Sequence, residues 1–535
     1  MTAAETTGVA ERRWGREVER ATVHGHSCLV YRRRPRSVGE LLLERRRWAD
    51  RVLFVQGDRR FTGPDHEHAV GRVAAALRDR GVRSGDTVLL LGFNSIEWLV
   101  TFWALQSIGA VAALGNAWWS DTEVAAITEL LAPTLAVTDR DVPSVPAVRF
   151  DEIRAVVDRE DRPELILARP AEDGPALVMF SSGTTGLPKG VRMSHRSVVA
   201  NIQNVLSLTG RQPDELPADH PGTVGLLTAP LFHLAGIQVS ITTMLSGGRI
   251  ALLRGRFDPV EVLELIQAER VRVWGAIPTM VSRVLDHPGF DDYDTSSVSS
   301  VPMGGAAISP QLRERVGSRF SGVRSRVGSL YGLTEAGGIL AAGSGRELTA
   351  RPGAVGRALP VVELRIDGAG ADGTGEIHAR TPAMTDGYLG DPTPLTDPDG
   401  WIATGDLGRL DDDGWLYVTG RSKDIIIRGG ENIAAVHVEE GVASHPDVAE
   451  VAVVPLPDPD LGEVVGAAVV LRPGASANER ELAAHAARTL ARHEVPSRWW
   501  FAEGPLPTNA SGKVLRRAVR AQWPADPEPD IEGEA

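Results

Sequence analysis

The ten residues from Ser181 to Gly190, SSGTTGLPKG, follow an apolar run from Ala176 to Phe180. Such a run, ending in hydroxyls and glycines, reads as a buried strand opening into a loop. Gly183, Gly186 and Gly190 let backbone N–H groups approach an anion closely. Ser181, Ser182, Thr184 and Thr185 add hydroxyl donors, and Lys189 adds a positive charge. This is the composition of a phosphate cradle. The standard P-loop spacing is absent, because Pro188 stands where its second glycine belongs and Gly190 follows Lys189 where Ser or Thr is needed. A flexible surface linker is the competing reading, and the internal Pro-Lys and the adjoining strand argue against it.

Three further segments follow in order: YGLTE at Tyr331 to Glu335, TGDLGRLDDDGWLYVTGRSKD from Thr404 to Asp424, and PTNASGKVLRR from Pro507 to Arg517. With the first loop they resemble the signatures of the adenylate-forming superfamily of acyl-CoA synthetases, adenylation domains and luciferases. Within it the chain is most similar to acyl-CoA synthetases, and the resemblance runs from roughly residue 40 to 520.

The length of 535 residues exceeds what one hydrophobic core usually supports, so two or more domains are expected. A formal net charge of −13 argues against non-specific nucleic-acid binding. The basic runs Arg32 to Arg34 and Arg45 to Arg47 read as solvated faces. A single cysteine, Cys28, excludes a disulfide framework and a Cys-rich zinc site, fits a reducing cytoplasm, and reads as a buried bystander thiol. The first residues, MTAAETTGVAERRWG, lack the apolar stretch of about 7–15 residues that a secretory signal needs. No run of about 18 apolar residues suggests a membrane span.

Asp86 to Leu91, Ile96 to Ile108 and Ala110 to Leu114 read as strand, helix and strand. The alternation recurs at Val224 to Thr228, Arg249 to Leu253, Pro259 to Glu269 and Val271 to Trp274, so an α/β fold with a largely parallel sheet is expected. From about residue 353 to 420 short β-like pieces, including Val362 to Ile366 and Gly375 to Ala379, predict a β-rich subdomain. Past Gly420 a small α+β unit follows, with Ile425 to Ile427, a helix near Val436 to Ser444, strands Val448 to Pro455 and Val465 to Leu471, and a helix Glu479 to Arg492. The expected organisation is a mobile tail over 1–20, a large layered α/β domain with its β-rich subdomain over 21–420, a small mobile lid over 421–523, and an acidic mobile tail over 524–535.

In the resembled family a carboxylate attacks the α-phosphorus of ATP to give an acyl-adenylate and pyrophosphate, and the thiol of coenzyme A then displaces AMP. The resemblance implies ATP, magnesium and coenzyme A, with a carboxylic acid or other oxyacid as substrate, and it leaves a homodimer open. It makes Glu335 the magnesium ligand and Thr334 a phosphate contact. Tyr331 offers its ring to adenine, Asp406 accepts from the ribose hydroxyls, and Arg421 meets phosphate oxygens. Lys423 falls at the family's hinge, and Lys513 closes over the acid and α-phosphate during adenylation. Gly429 and Gly430 border the coenzyme A tunnel.

For the acid, the resemblance places His233, Trp274, Gly304, Gly305, Ala306, Ala307, Ser329 and Leu330 in or beside the acyl pocket. These are mostly small or apolar, and no aspartate is available there for an α-amino group. A fatty and an aryl acid remain equally compatible. Trp103, Trp118 and Trp119 read as packing residues, and His24 with His26 or His66 with His68 lack further metal ligands. After Ile433, Ala434, Ala435 and His437 replace residues that many relatives carry beside the thiol tunnel. An adenylate-forming enzyme with another acceptor, activating an aryl acid or, diazotase-like, nitrite, is therefore the alternative. A non-catalytic nucleotide binder is the alternative of another class. Replacing Lys513 with Ala is expected to suppress adenylate formation while leaving ATP binding largely intact, as separate turnover and equilibrium binding measurements would read.

Overall fold

The computed structural model describes residues 13–48, 51–181, 187–304, 308, 310–323, 327–385, 387–429, 431–508 and 514–524. Its centre is the helix Ile96–Ile108, every residue of which is buried. A helix apolar on all sides can only be stable enclosed, and this one lies in the largest core, among residues of two sheets. Ser95 starts it by accepting the N–H of Trp98 at 3.0 Å, and Gly109 ends it in the left-handed region at φ +79°.

The first sheet has the spatial order Lys189–Ser194, Pro175–Ser181, Val111–Gly115, Thr87–Leu91, Leu135–Thr138, Ala147–Val148. All its neighbours are parallel except the first pair. The second runs Val273–Gly275, Val224–Leu227, Arg249–Leu252, Val52–Gln56, Arg59–Thr62, and only its last pair is antiparallel. Asn94 ties the ends of these two sheets together. Its Nδ2 donates to Ala229 O at 2.9 Å, and its Oδ1 accepts the N–H of Leu231 at 2.7 Å. The carboxyl ends of parallel strands are where α/β folds bind ligands, and Ser181 lies at one of them.

The β-rich part is larger than the sequence predicts. Its eight-stranded sheet takes in Val301–Gly304, Val327–Leu333 and Gly338–Gly343, well before residue 353. Glycines at 332, 337 and 338 interrupt the alternation that would have marked these strands. A bridge between Ala276 and Met303 joins this sheet to the second parallel one. Residues from Ile425 onward build a separate five-stranded sheet, with Arg498–Phe501 parallel to Gly462–Leu471 and the helices Ala435–Ala443 and Glu479–Ala486 packed on its core. The helix from Glu479 ends at Ala486, short of the expected Arg492.

Three expectations are corrected. Residues 13–20, expected in a tail, are anchored: Trp14 is buried, its N–H donates to Asp214 at 2.9 Å, and Val18–Val23 pairs with His26–Tyr31. The charged neighbours in ERRWGREVER conceal this pattern. The basic runs are not wholly solvated, because Arg45 is buried against Glu67 at 3.6 Å and Arg34 against Glu172 at 2.5 Å. Trp103 and Trp119 do pack inside, whereas Trp118 is 41% exposed, with the Arg256 guanidinium 4.5 Å from its ring centre. Cys28 is buried as expected, and burial pushes its thiol up to about 11. Among the described residues no helix is long and apolar enough to cross a membrane, and no group of three or more His, Cys, Asp or Glu could hold a metal ion.

His195 is buried and its Nδ1 accepts the N–H of Val38 at 3.2 Å, which requires the neutral ring. Burial lowers its pKa from 6.5 to about 4. Between these values the unfolded chain binds a proton that the folded chain refuses, so stability falls as the pH drops from 6.5 toward 4. Urea unfolding midpoints are expected to decline over this range, with a shallower decline in His195→Gln.

Candidate active site

The phosphate-cradle segment is held at both ends. Ser181 closes the strand Pro175–Ser181 and pairs across the sheet with Lys189, the first residue of Lys189–Ser194. Ser182, Gly183, Thr184, Thr185 and Gly186 lie outside the described residues. Beside Lys189–Ser194 runs the segment at Tyr388 and Leu389. Leu389 N–H donates to Gly190 O at 2.7 Å, and Tyr388 bridges Val191. That pairing brings the Tyr388 ring under Lys189, whose Nζ lies 4.7 Å from the ring centre.

The Tyr388 hydroxyl donates to Glu335 Oε1 at 3.0 Å. Burial, and then the negative charge of Glu335, push its phenol up, so it remains a donor. Glu335 follows Val327–Leu333 in a turn closed by Gly337 N–H to Thr334 O at 2.9 Å. Gly337 has φ +73°, and a Cβ there would lie 1.6 Å from Ala383 O, so only glycine fits this turn. The Glu335 carbonyl also accepts from Thr385 N–H at 3.1 Å. Lys189 and Glu335 thus meet across one phenol, a cation and a carboxylate held side by side. Sequence reasoning missed Tyr388. Its signal is an aromatic in the turn-rich DGYLGDP, and its meaning depends on partners far away in the chain.

A second cluster centres on Asp406, whose side chain is 8% exposed. Its Oδ2 accepts from the Tyr331 hydroxyl at 2.8 Å and its Oδ1 from Arg421 Nε at 2.9 Å. Asp406 and Arg421 are cross-strand partners on Ile402–Leu410 and Trp415–Arg421. Thr404 orients the carboxylate's backbone, since its Oγ1 accepts Asp406 N–H at 3.1 Å and donates to Ile377 O at 2.8 Å. Burial, and then Asp406, push the Tyr331 phenol up. A carboxylate offers about four lone-pair sites, so Asp406 keeps acceptor capacity for a further donor pair such as a diol. Tyr331 and Glu335 are four residues apart, which places the two clusters within roughly 14 Å of each other along the chain.

Several of the expected acyl-pocket residues lie on adjacent strands. Gly304 and Leu330 are parallel partners on adjacent strands, with Ser329 buried beside them. Trp274 is fully buried, its Nε1 donates to Thr228 Oγ1 at 3.1 Å, and its ring packs edge-on to Phe320. Strand alternation in Val273–Gly275 puts its side chain on the inward face. His233 precedes the helix Leu234–Leu245 with a buried, unpartnered Nε2, and burial lowers its pKa to about 4. No hydrogen bond joins it to either cluster among the described residues. Gly305, Ala306 and Ala307 lie outside them.

Lys423 is exposed in the short turn Ser422–Asp424. Gly429 has φ +58° and its N–H donates to Leu461 O at 2.8 Å. Gly430 and Lys513 lie outside the described residues.

The profile of the AMP-binding enzyme family matches residues 43–389, and that of its C-terminal domain residues 437–513. The chain belongs to the AMP-binding enzyme family. It is an AMP-forming ligase. It is 30% identical to 4-coumarate–CoA ligase 2 of Nicotiana tabacum over 87% of this chain and 90% of that protein. It is 32% identical to a propanoyl:CoA ligase of Rhodococcus jostii (strain RHA1), named for a methyl-dioxo-octahydro-indenyl acid, over 89% and 96%. The amide bond synthetase McbA of Marinactinospora thermotolerans superposes with a TM-score of 0.76 at 31% identity, over 90% of this chain and 99% of that one. The α/β fold expected from the alternation of strands and helices is that of this family, whose CoA ligases use ATP and coenzyme A.

Tyr388→Ala removes both the ring under Lys189 and the donor to Glu335, whereas Tyr388→Phe removes the donor alone. Nucleotide affinity, read by titration calorimetry, is expected to fall about tenfold or more in the first and by a smaller factor in the second.

Proposed function

We propose that this enzyme is an ATP-dependent acid–CoA ligase that adenylates a bulky apolar carboxylic acid and passes the acyl group to coenzyme A. The observation that carries the reading is the pair of clusters on one strand and its turn. Asp406 with Tyr331 suits a ribose and adenine at one end, and Lys189 with Glu335 suits phosphates and their counter-ion at the other. Magnesium bound there would neutralise charge on the leaving pyrophosphate. Glu335 fits such an ion, because magnesium typically takes only one or two protein carboxylates and completes its shell with phosphate and water.

In the first step the acid's carboxylate oxygen attacks the α-phosphorus and pyrophosphate leaves, with Lys189 and Lys513 countering the charge that builds up. Donors set in place beforehand commonly contribute about 10²–10³ in rate each. Arg421 holds Asp406 and keeps its exposed guanidinium within reach of phosphate oxygens. In the second step the carboxy-terminal unit turns about Lys423, Lys513 withdraws, and the thiol of coenzyme A displaces AMP near Gly429 and Gly430. The small residues around Gly304, Ser329 and Leu330, and the ring-bearing acids in the names of the two curated relatives, support a bulky non-amino acid substrate.

A different acceptor is the second reading. Ala434, Ala435 and the half-exposed His437 begin the helix Ala435–Ala443 beside the expected tunnel, and a relative at 31% identity is an amide bond synthetase. Mass spectrometry of reactions with ATP, magnesium and panels of aryl, fatty and inorganic acids, each with coenzyme A or an amine, separates the readings. The expected result is adenylate with an aryl or polycyclic acid and its conversion to thioester. Adenylate converted only by the amine would replace coenzyme A as acceptor. No adenylate with any acid would overturn the ligase reading.

A further inference from the structure

The chain leaves the eight-stranded sheet at Arg421 and enters the carboxy-terminal sheet at Ile425, so the link is the three residues Ser422–Asp424. Both ends of this link are tied. On the first side Arg421 binds Asp406, and Ser422 Oγ donates to Gly405 O at 3.1 Å. On the other side Arg516 Nη1 donates to Asp424 Oδ2 at 2.7 Å. The same guanidinium grips Glu439 with Nε at 3.0 Å and Nη2 at 2.6 Å.

Glu439 lies on Ala435–Ala443, and its Oε1 also accepts the N–H of Val453 in the strand Val448–Asp458. Arg516 opens the helix Arg516–Ala521, which Val519 anchors in the core of the same unit. A forked guanidinium on two carboxylates, half-shielded from water, fixes geometry as well as charge. Lys423, by contrast, is exposed and takes no hydrogen bond or ion pair among the described residues.

We propose that Arg516 is a positioning residue that joins Asp424 to the carboxy-terminal unit, so that the turn between the two half-reactions is confined to Ser422 and Lys423. The proposal rests on the two-step reading above. Confinement matters because a short pivot returns the unit to one place, whereas a longer loose link spreads it over many. Arg516 also stands three residues beyond Lys513. Pairing of Thr508 with Val514, and Leu515 N–H to Pro507 O at 2.8 Å, hold the two ends of 509–513 to each other, and Leu506 and Val519 on either side share one core.

Asp424→Asn is the informative variant, because it weakens the tie to the link and keeps the Arg516–Glu439 pair inside the unit. In the full-length protein, hydrogen–deuterium exchange of amides 424–427 is expected to rise about tenfold with the thermal midpoint unchanged. Acid-dependent ATP–pyrophosphate exchange is expected to fall about tenfold, while thioester formation from supplied acyl-adenylate and coenzyme A changes far less. Arg516→Lys should shift the same ratio, since a point charge cannot hold both carboxylates. Unchanged amide exchange in Asp424→Asn, or a proportional loss of both half-reactions, would overturn the proposal. If the wild-type protein shows no pyrophosphate exchange with any acid but the amide exchange still rises, the two-step reading fails and the anchoring role stands.

Discussion

Burial of the helix Ile96–Ile108 is the constraint on which the rest of the structure depends. Leaving such a helix in water would expose thirteen side chains, most of them large and apolar, at about 1.5–3 kcal/mol for each large one. Two sheets close over it. Because strands of both run parallel, closing over one helix also sets their carboxyl ends close enough for Asn94 to bond Ala229 and Leu231. The strands Thr87–Leu91 and Val224–Leu227 therefore end beside one another, and the eight-stranded sheet attaches at Ala276 and Met303.

Within that frame the site is built by pairs that neutralise one another. Asp406 is almost wholly removed from water and would be costly there alone. Arg421 supplies the charge and Tyr331 the second donor. Glu335 has one oxygen on Tyr388, and Lys189 sits over the same ring. Each reactive group thus has a protein partner that keeps its place, and capacity left over for a ligand.

Local signals made much of this legible in the sequence. Ile96–Ile108 and Pro259–Glu269 were readable to the residue from their helical spacing, and in the structure Ser95 and Asp258 cap them. The four motifs identified the family because they are long and contiguous. What escaped depended on contacts across the chain. Trp14 is an isolated aromatic among charges until Asp214 and its neighbours enclose it. Nothing in the sequence around Trp274 shows its edge-on contact with Phe320, 46 residues later. Tyr388 has no meaning without Lys189 and Glu335, which come from segments roughly 200 and 50 residues earlier in the chain.

The buried state of Cys28 has a practical side. It is the only sulfhydryl in the chain, it sits in a small core with Val23, Val30 and Met384, and its thiol is held well above the ordinary range. Only the thiolate reacts readily with disulfide or maleimide reagents. A colorimetric thiol titration in the native protein therefore counts free coenzyme A with little background from the polypeptide. A cysteine placed at any exposed position becomes a unique attachment point for a fluorophore or spin label, with no native residue to remove first.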